Sequence, residues 1–298
     1  MFDFIESAIV RASLDVFVTL QGFLITAVFF SALGIILHRK NALKYFRKTA
    51  PQMKLNLEIA VFNVVFIVPV LVFAGLGLAN IAESLGIGLV PKAYWDSLPI
   101  WLAVLITLLF GDFVVYWRHR WQHSDWLWPS HAIHHSDTDL TWISTYRSHP
   151  LNRATSYLID GAALILIGAP DYALVVFYLV RQYYTEFIHA NLPWTYGPLG
   201  RVFVSPAMHR WHHAEDPDAY NSNFAGIFSI WDQMFGTYYV PGPCNAPLGI
   251  GDEIKPNLVG QLAYPFEPRA YRHLFGRSDG TASEGEKPPL SSQVVPGE

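Results

Sequence analysis

The stretch Asp112 to His135, DFVVYWRHRWQHSDWLWPSHAIHH, decides how the chain is read. Its histidines stand at His119 and His123, then at His131, His134 and His135. On a helix turning once per 3.6 residues each group lies along one face, so two rows of imidazoles can be offered to one point. A third group, His209, His212 and His213 in HRWHH, repeats the spacing of the second. Ten of the chain's 12 histidines fall between His119 and His213, a clustering that packing does not explain.

A lone histidine on an apolar face is ordinarily a satisfied core or surface residue. Three groups at periodic positions point instead to metal. A zinc protease of the HExxH type needs a glutamate after the first histidine as its base, and here those positions hold Ala132 and Arg210. Hydrolytic zinc chemistry therefore lacks its base. Eight or nine imidazoles are too many for one zinc and suit two iron ions, each with room for dioxygen; zinc is the substitute ion.

With these residues in view, the run from Asp112 to Tyr238 resembles the fatty acid hydroxylase and sterol desaturase superfamily of integral-membrane, histidine-rich di-iron oxygenases. The spacing of the first two boxes, the third HxxHH, and the trailing NSNF (Asn221 to Phe224) and IWDQMFGTY (Ile230 to Tyr238) occur in order. The resemblance implies activation of dioxygen to hydroxylate a lipid or sterol C–H bond, with desaturation as the related outcome. It also implies a ninth ligand, His189 in FIHANL, completing the set His119, His123, His131, His134, His135, His189, His209, His212 and His213. Two departures stand out. Some members of that family carry a further histidine where this chain has Thr185, and the family usually has an acidic residue two positions after the proline of its RxHP segment, where this chain has Asn152.

Composition sets the surroundings. The chain has 298 residues, of which 52% are hydrophobic and 15% charged, too oily for an ordinary soluble enzyme. A net charge of −4 offers no basic patch to nucleic acid. Cys244 is alone, which rules out an internal disulfide. The uncharged run Val16 to Leu37 is long enough to cross a bilayer and too long for a signal-peptide core. His38 to Lys54 follows as a basic loop without an acidic residue, cytoplasmic by the positive-inside rule. Ile59 to Ala79 returns, and Leu98 to Trp117 comes back to deliver His119 on the cytoplasmic side. Tyr157 to Ile188, broken at Gly168 to Asp171, reads as a helical hairpin whose arms are short for full crossings.

The expected fold is all-α: an integral-membrane helical bundle with a histidine-rich metal cap on its cytoplasmic face. Residues 1–111 are N-terminal transmembrane helices. Residues 112–275 form the catalytic domain, including a membrane hairpin near 155–188. Residues 276–298, polar and rich in Gly, Ser and Pro, are a disordered tail. Three polar residues beyond the ligands are assigned supporting roles. Asp112, costly inside a span, is expected to hold an imidazole by hydrogen bond. Asn223 is expected to do the same, and His149 to stand beside the site or the substrate channel.

No haem-binding or nucleotide-binding domain is visible, since HPLN is not the HPGG of a fused b-type cytochrome and no GxGxxG follows a strand. Electrons are therefore expected from a separate protein, a ferredoxin or a b-type cytochrome with its reductase. The terminal GE is not a dilysine-type retention signal, which favours a bacterial inner membrane over the endoplasmic reticulum. The rival reading is a non-catalytic zinc- or haem-binding membrane protein, although grouped HxxHH faces would crowd a porphyrin.

Overall fold

A computed structural model describes residues 21–251 and 254–272. The first residues of the first expected span and the expected disordered tail lie outside them. Among the described residues the structure is helical, with no strand beyond one isolated bridge between Ala214 and Leu248.

Helix α1 (21–38) and helix α2 (Ala42–Phe62) are joined by a 3-10 turn, Arg39–Asn41. Arg39 takes a left-handed φ of 46°, which redirects the chain so that Phe46 packs over Gly34. Phe30 of α1, Ala60 of α2 and Trp142 then share one apolar cluster, with the Phe30 and Trp142 rings stacked at 5.7 Å. The basic stretch His38 to Lys54, expected as a loop, is thus mostly helix. Ala42 and Thr49, continued by Leu55 and Ile59 further along α2, give it a buried face that sequence charge conceals, while its cations stay outside; Lys48 reaches Asp139 at 2.7 Å.

After α2 the helix widens to π geometry over Asn63–Ile67 before α3 (Val68–Ser84). Pro69 has no N–H to give to the Val65 carbonyl, and the widened turn absorbs that loss. The buried Asn63 side chain there donates to the Ser148 carbonyl at 2.8 Å. A short α4 (Lys92–Ser97) leads into α5 (Ile100–Gln122), which ends where His123 leaves helical geometry. Helix α6 (Trp128–His135) starts with Pro129 in its first turn, where a missing N–H costs nothing.

The expected hairpin is α7 (Pro150–Leu166) and α8 (Asp171–His189), of 17 and 19 residues. Gly168, with φ 61°, makes the reversal. Helix α9 (Pro206–His212) carries the third histidine group; Ser205 caps it by accepting from Met208 N at 3.1 Å. Helices α10 (Ile230–Met234) and α11 (Leu258–Ala263) follow.

Two helical stretches are long and apolar enough to cross a membrane, Gln21–Ser84 and Ile100–Gln122. The first contains two of the three expected spans, bent at Arg39. Among the described residues, only 28% and 33% of their most apolar stretches are buried. Leu24, Ile25, Val28, Phe66, Val70 and Trp101 face outward. A core helix of a soluble protein would have that surface covered, so the fold is one that associates with membrane.

Helices α5 and α8 meet at Gly111, where a β-carbon would stand 2.3 Å from the fully buried ring of Phe177. Gly111→Ala is therefore expected to cost about 1–3 kcal/mol of stability by overpacking. Gly161→Ala on α7, where nothing lies within 4 Å, should leave stability unchanged or slightly raised. Thermal unfolding of both variants in detergent checks the contrast.

Candidate metal centre

Four helix ends bring the histidines together. His119 lies in the last turn of α5 and His123 follows it; α6 carries His131, His134 and His135. His189 is the final residue of α8, and α9 supplies His209 and His212 with His213 just beyond. Their ring nitrogens fall into two groups, each with all ligand atoms within 4.8 Å of one another. One holds His119, His123, His131, His135 and His212; the other holds His134, His189, His209 and His213. Each group draws from three or more segments, so neither exists until the helices pack.

The other ring nitrogens explain which atoms face inward. His119 Nδ1 donates to the Phe224 carbonyl at 2.8 Å and His212 Nδ1 to the Ser222 carbonyl at 2.7 Å. His134 Nδ1 donates to the Arg147 carbonyl at 3.2 Å, and His189 Nδ1 to the Thr185 carbonyl at 2.6 Å. His131 Nδ1 donates to Asn152 Oδ1 at 3.1 Å, and the Asn152 amide nitrogen is committed to Ser148 Oγ. A carbonyl oxygen can only accept, so in these five rings the proton sits on Nδ1 and Nε2 carries a bare lone pair.

Those lone pairs point at one another. His119 Nε2 lies 3.1 Å from His131 Nε2, and His134 Nε2 lies 3.2 Å from His189 Nε2. Two facing lone pairs without a proton between them repel; a shared cation turns the same arrangement into attraction. Two ligands at about 2.1 Å from one ion and at right angles to each other would stand roughly 3.0 Å apart, close to these separations. His123 Nε2 and His212 Nε2, both in the first group, are moreover buried with no hydrogen-bond partner. Such orphaned atoms in a native interior call for a ligand, and the residues fit a metal pair.

Electrostatics keep the set ready for metal. Burial pushes the imidazoles of His134 and His212 down to about 3, and those of His131, His135, His209 and His213 well below the ordinary histidine value. All are neutral at physiological pH, the form that binds a cation.

The supporting residues differ from expectation. Asp112 holds no imidazole. Its carboxylate accepts from the N–H groups of Ile227 and Phe228, at 2.9 and 2.8 Å, and from the Trp231 indole at 3.1 Å. Asp232 likewise accepts from Phe224 N, Ala225 N and Thr237 Oγ1. The two carboxylates thus hold backbone that in turn holds His119, one step removed from the ring. Asn223 also misses the imidazoles: with φ 60° it donates to the Met208 and Tyr239 carbonyls and accepts from Tyr239 N. It is Asn221 that bonds His123. His149 belongs to neither metal group. It caps α7 by accepting from Leu151 N and donates through Nε2 to the Leu262 carbonyl, because Pro150 starts a helix whose first N–H groups need a partner.

Asn152 carries a role that its sequence signal, the loss of an acid, argued against: an amide oxygen holds His131 as a carboxylate would. Thr185 contributes its main-chain carbonyl, which any side chain leaves in place. Arg147, fully buried, donates to Ile133 O, Ser136, Gln52 and Asn56, fixing α6 against α2.

A cavity of about 320 Å³ opens beside His119, His131, His134, His189 and His209 and runs between α7 and α8. Tyr146 on its wall donates to Glu186 Oε1 at 2.5 Å, and Gln182 donates to both. Deeper along the cavity, Asp160 bridges Arg118 and Arg181 at 2.8 and 2.7 Å.

Comparison with known proteins agrees with this geometry. Residues 104–237 match the family model described as fatty acid hydroxylase. Ornithine lipid hydroxylase OlsE of Rhizobium tropici is 31% identical over 62% of this chain and 56% of its own length. Alkylglycerol monooxygenase of Caenorhabditis elegans is 34% identical over 48% of this chain and 28% of its own. A putative methylsterol monooxygenase of Dictyostelium discoideum is 30% identical over 51% and 57%. The chain thus spans little more than half the length of these relatives, or less. No solved structure matches it.

If Asn152 orients His131, Asn152→Leu should weaken metal binding about 10–100-fold, whereas Asn152→Asp should retain it. Chelator competition followed by elemental analysis distinguishes the two.

Proposed function

Since residues 104–237 belong to the fatty acid hydroxylase family, we propose that this chain is a membrane-bound, dioxygen-dependent lipid hydroxylase whose nine histidines hold two iron ions. The observation that carries the reading is the pairing of unprotonated Nε2 atoms at 3.1 and 3.2 Å in two separate groups. Five donors in the first group exceed the four of tetrahedral zinc, which favours iron, with zinc as substitute. When bound, such an ion pair supplies the reductive activation of dioxygen, placing one oxygen atom in a lipid C–H bond and releasing the other as water.

The chain's own residues do the rest. Phe224, Ser222, Arg147 and Thr185 carbonyls and Asn152 Oδ1 hold five imidazoles in one tautomer and orientation. The cavity beside the histidines receives the substrate, with Val115, Ile188 and Ala225 as its apolar wall. Tyr146, on that wall, donates its phenol proton to Glu186 Oε1 behind it, which fixes the direction of the hydroxyl.

The relatives named above are an ornithine lipid hydroxylase, an alkylglycerol monooxygenase and a putative methylsterol monooxygenase, which supports hydroxylation of a lipid or sterol over desaturation. The electrons would come from a separate ferredoxin or b-type cytochrome with its reductase. Residues 1–111 would be the membrane helices and 112–275 the catalytic unit, with the α7–α8 hairpin partly immersed and the histidine end on the cytoplasmic side. The cations of 38–54, unaccompanied by any acid, support that orientation in a bacterial inner membrane, or alternatively in the endoplasmic reticulum.

His134→Ala and His212→Ala, one from each group, should each abolish lipid oxidation and leave roughly one of two ions bound. Mass spectrometry of membrane lipids, looking for a gain of one oxygen, and elemental analysis of the purified protein check both effects. Oxygen-dependent product from either variant would overturn the assignment.

A further inference from the structure

The polar half of the cavity is not what a pure hydrocarbon or an uncharged sterol would select. Along α7, Arg153, Ser156, Tyr157 and Asp160 recur at helical spacing and all line it. From the facing helices Arg118 and Arg181 join them. Three guanidinium groups and one carboxylate leave the lining with a net charge of +2 while the histidines are neutral. Asp160 is already spent, with one oxygen on Arg118 and the other on Arg181. Arg153 is different. Among the described residues no carboxylate pairs with it, and its electrostatic neighbours are the Tyr146 phenol and the like charge of Arg181.

A partly buried cation facing a cavity without a counter-ion costs free energy unless something anionic completes it. Arg153 lines the same cavity as His131 and Asn152, so an anion on its guanidinium would share that space with the metal ligands. Guanidinium geometry suits a two-oxygen partner, a carboxylate or a phosphate ester.

We propose that Arg153 is the anion-recognition residue of the cavity, and that the substrate is an acyl amphiphile bearing a free carboxylate rather than a neutral sterol or hydrocarbon. This rests on the reading of the cavity as a lipid-hydroxylase substrate site. It adds the class of headgroup and the residue that reads it.

The test measures binding, not turnover, so that it does not share the fate of the metal assignment. The full-length protein is placed in phosphatidylcholine nanodiscs and loaded with radiolabelled N-palmitoylglycine, with empty nanodiscs as background. Unlabelled N-palmitoylglycine should compete roughly 10- to 100-fold better than its methyl ester, which has the same chain without the charge. N-acetylglycine, which has the charge without the chain, should fail to compete. Arg153→Gln should abolish the preference for acid over ester, and Arg153→Lys should restore part of it. Equal competition by acid and ester in the unsubstituted protein overturns the proposal, and needs no variant to fold. Full preference in Arg153→Gln would also overturn it, by moving recognition to Arg118 and Arg181. Competition by N-acetylglycine as strong as by the acyl form would show a site for a small free anion and sink the amphiphile reading.

Discussion

Everything in the histidine cap depends on where five protons sit. By donating Nδ1–H to fixed oxygens, His119, His131, His134, His189 and His212 turn their Nε2 lone pairs inward. In a buried, low-dielectric interior such lone pairs at 3.1 to 3.2 Å are a repulsive arrangement on their own and an attractive one around a cation. The fold holds this tension because four of the five acceptors are main-chain carbonyls. Backbone anchored by its own hydrogen bonds leaves a ring little freedom to turn away.

That backbone is itself held by groups that never touch a histidine. Asp112, in α5, accepts three hydrogen bonds from the 227–231 stretch, and Asp232 accepts three from 224–237. A β-carbon at Gly226 would come within 2.9 Å of Asp112 Oδ1, so the loop lies against the carboxylate with no room to spare. Tyr116 closes the circuit from α5 by sharing a hydrogen bond with Thr237 at 2.9 Å. Buried carboxylates are expensive, and here the return is the fixed position of two carbonyls, Ser222 and Phe224, that orient one ring from each of two distant histidine boxes.

The molecule joins two environments that ordinarily exclude each other. Outside, α1 to α3 and α5 present large apolar side chains that no other described residue covers. Inside, between α5, α7 and α8, a cavity lined by arginine, aspartate, glutamine and tyrosine runs up to the imidazoles. Glycine at position 111 lets α8 approach α5 closely enough for Phe177 to seal the packing between the two. The polar interior is thereby separated from the oily exterior by a single layer of helices, an arrangement suited to an amphiphile taken from the membrane.

The sequence by itself determined the chemistry and the local geometry. The spacing of His119 with His123, and of the two HxxHH groups, is a helical property set by neighbours a few residues away, and it could be read directly. So could the apolar runs and the hairpin turn at Gly168. What only the tertiary structure decided is partition and support. That five histidines gather in one group and four in the other depends on how α5, α6, α8 and α9 cross, which no spacing encodes. Asp112 and Asn223 were plausible partners for imidazoles by residue type, yet they bind backbone, because hydrogen-bond partners are chosen by positions over a hundred residues apart in the case of Asp112. The basic stretch after α1 became helix for the same reason: its charges are a local signal, while the apolar face that stabilises it is visible only once Trp142, Tyr146 and α1 are packed alongside. Local periodicity can be read from the chain; convergence is a property of the packed whole.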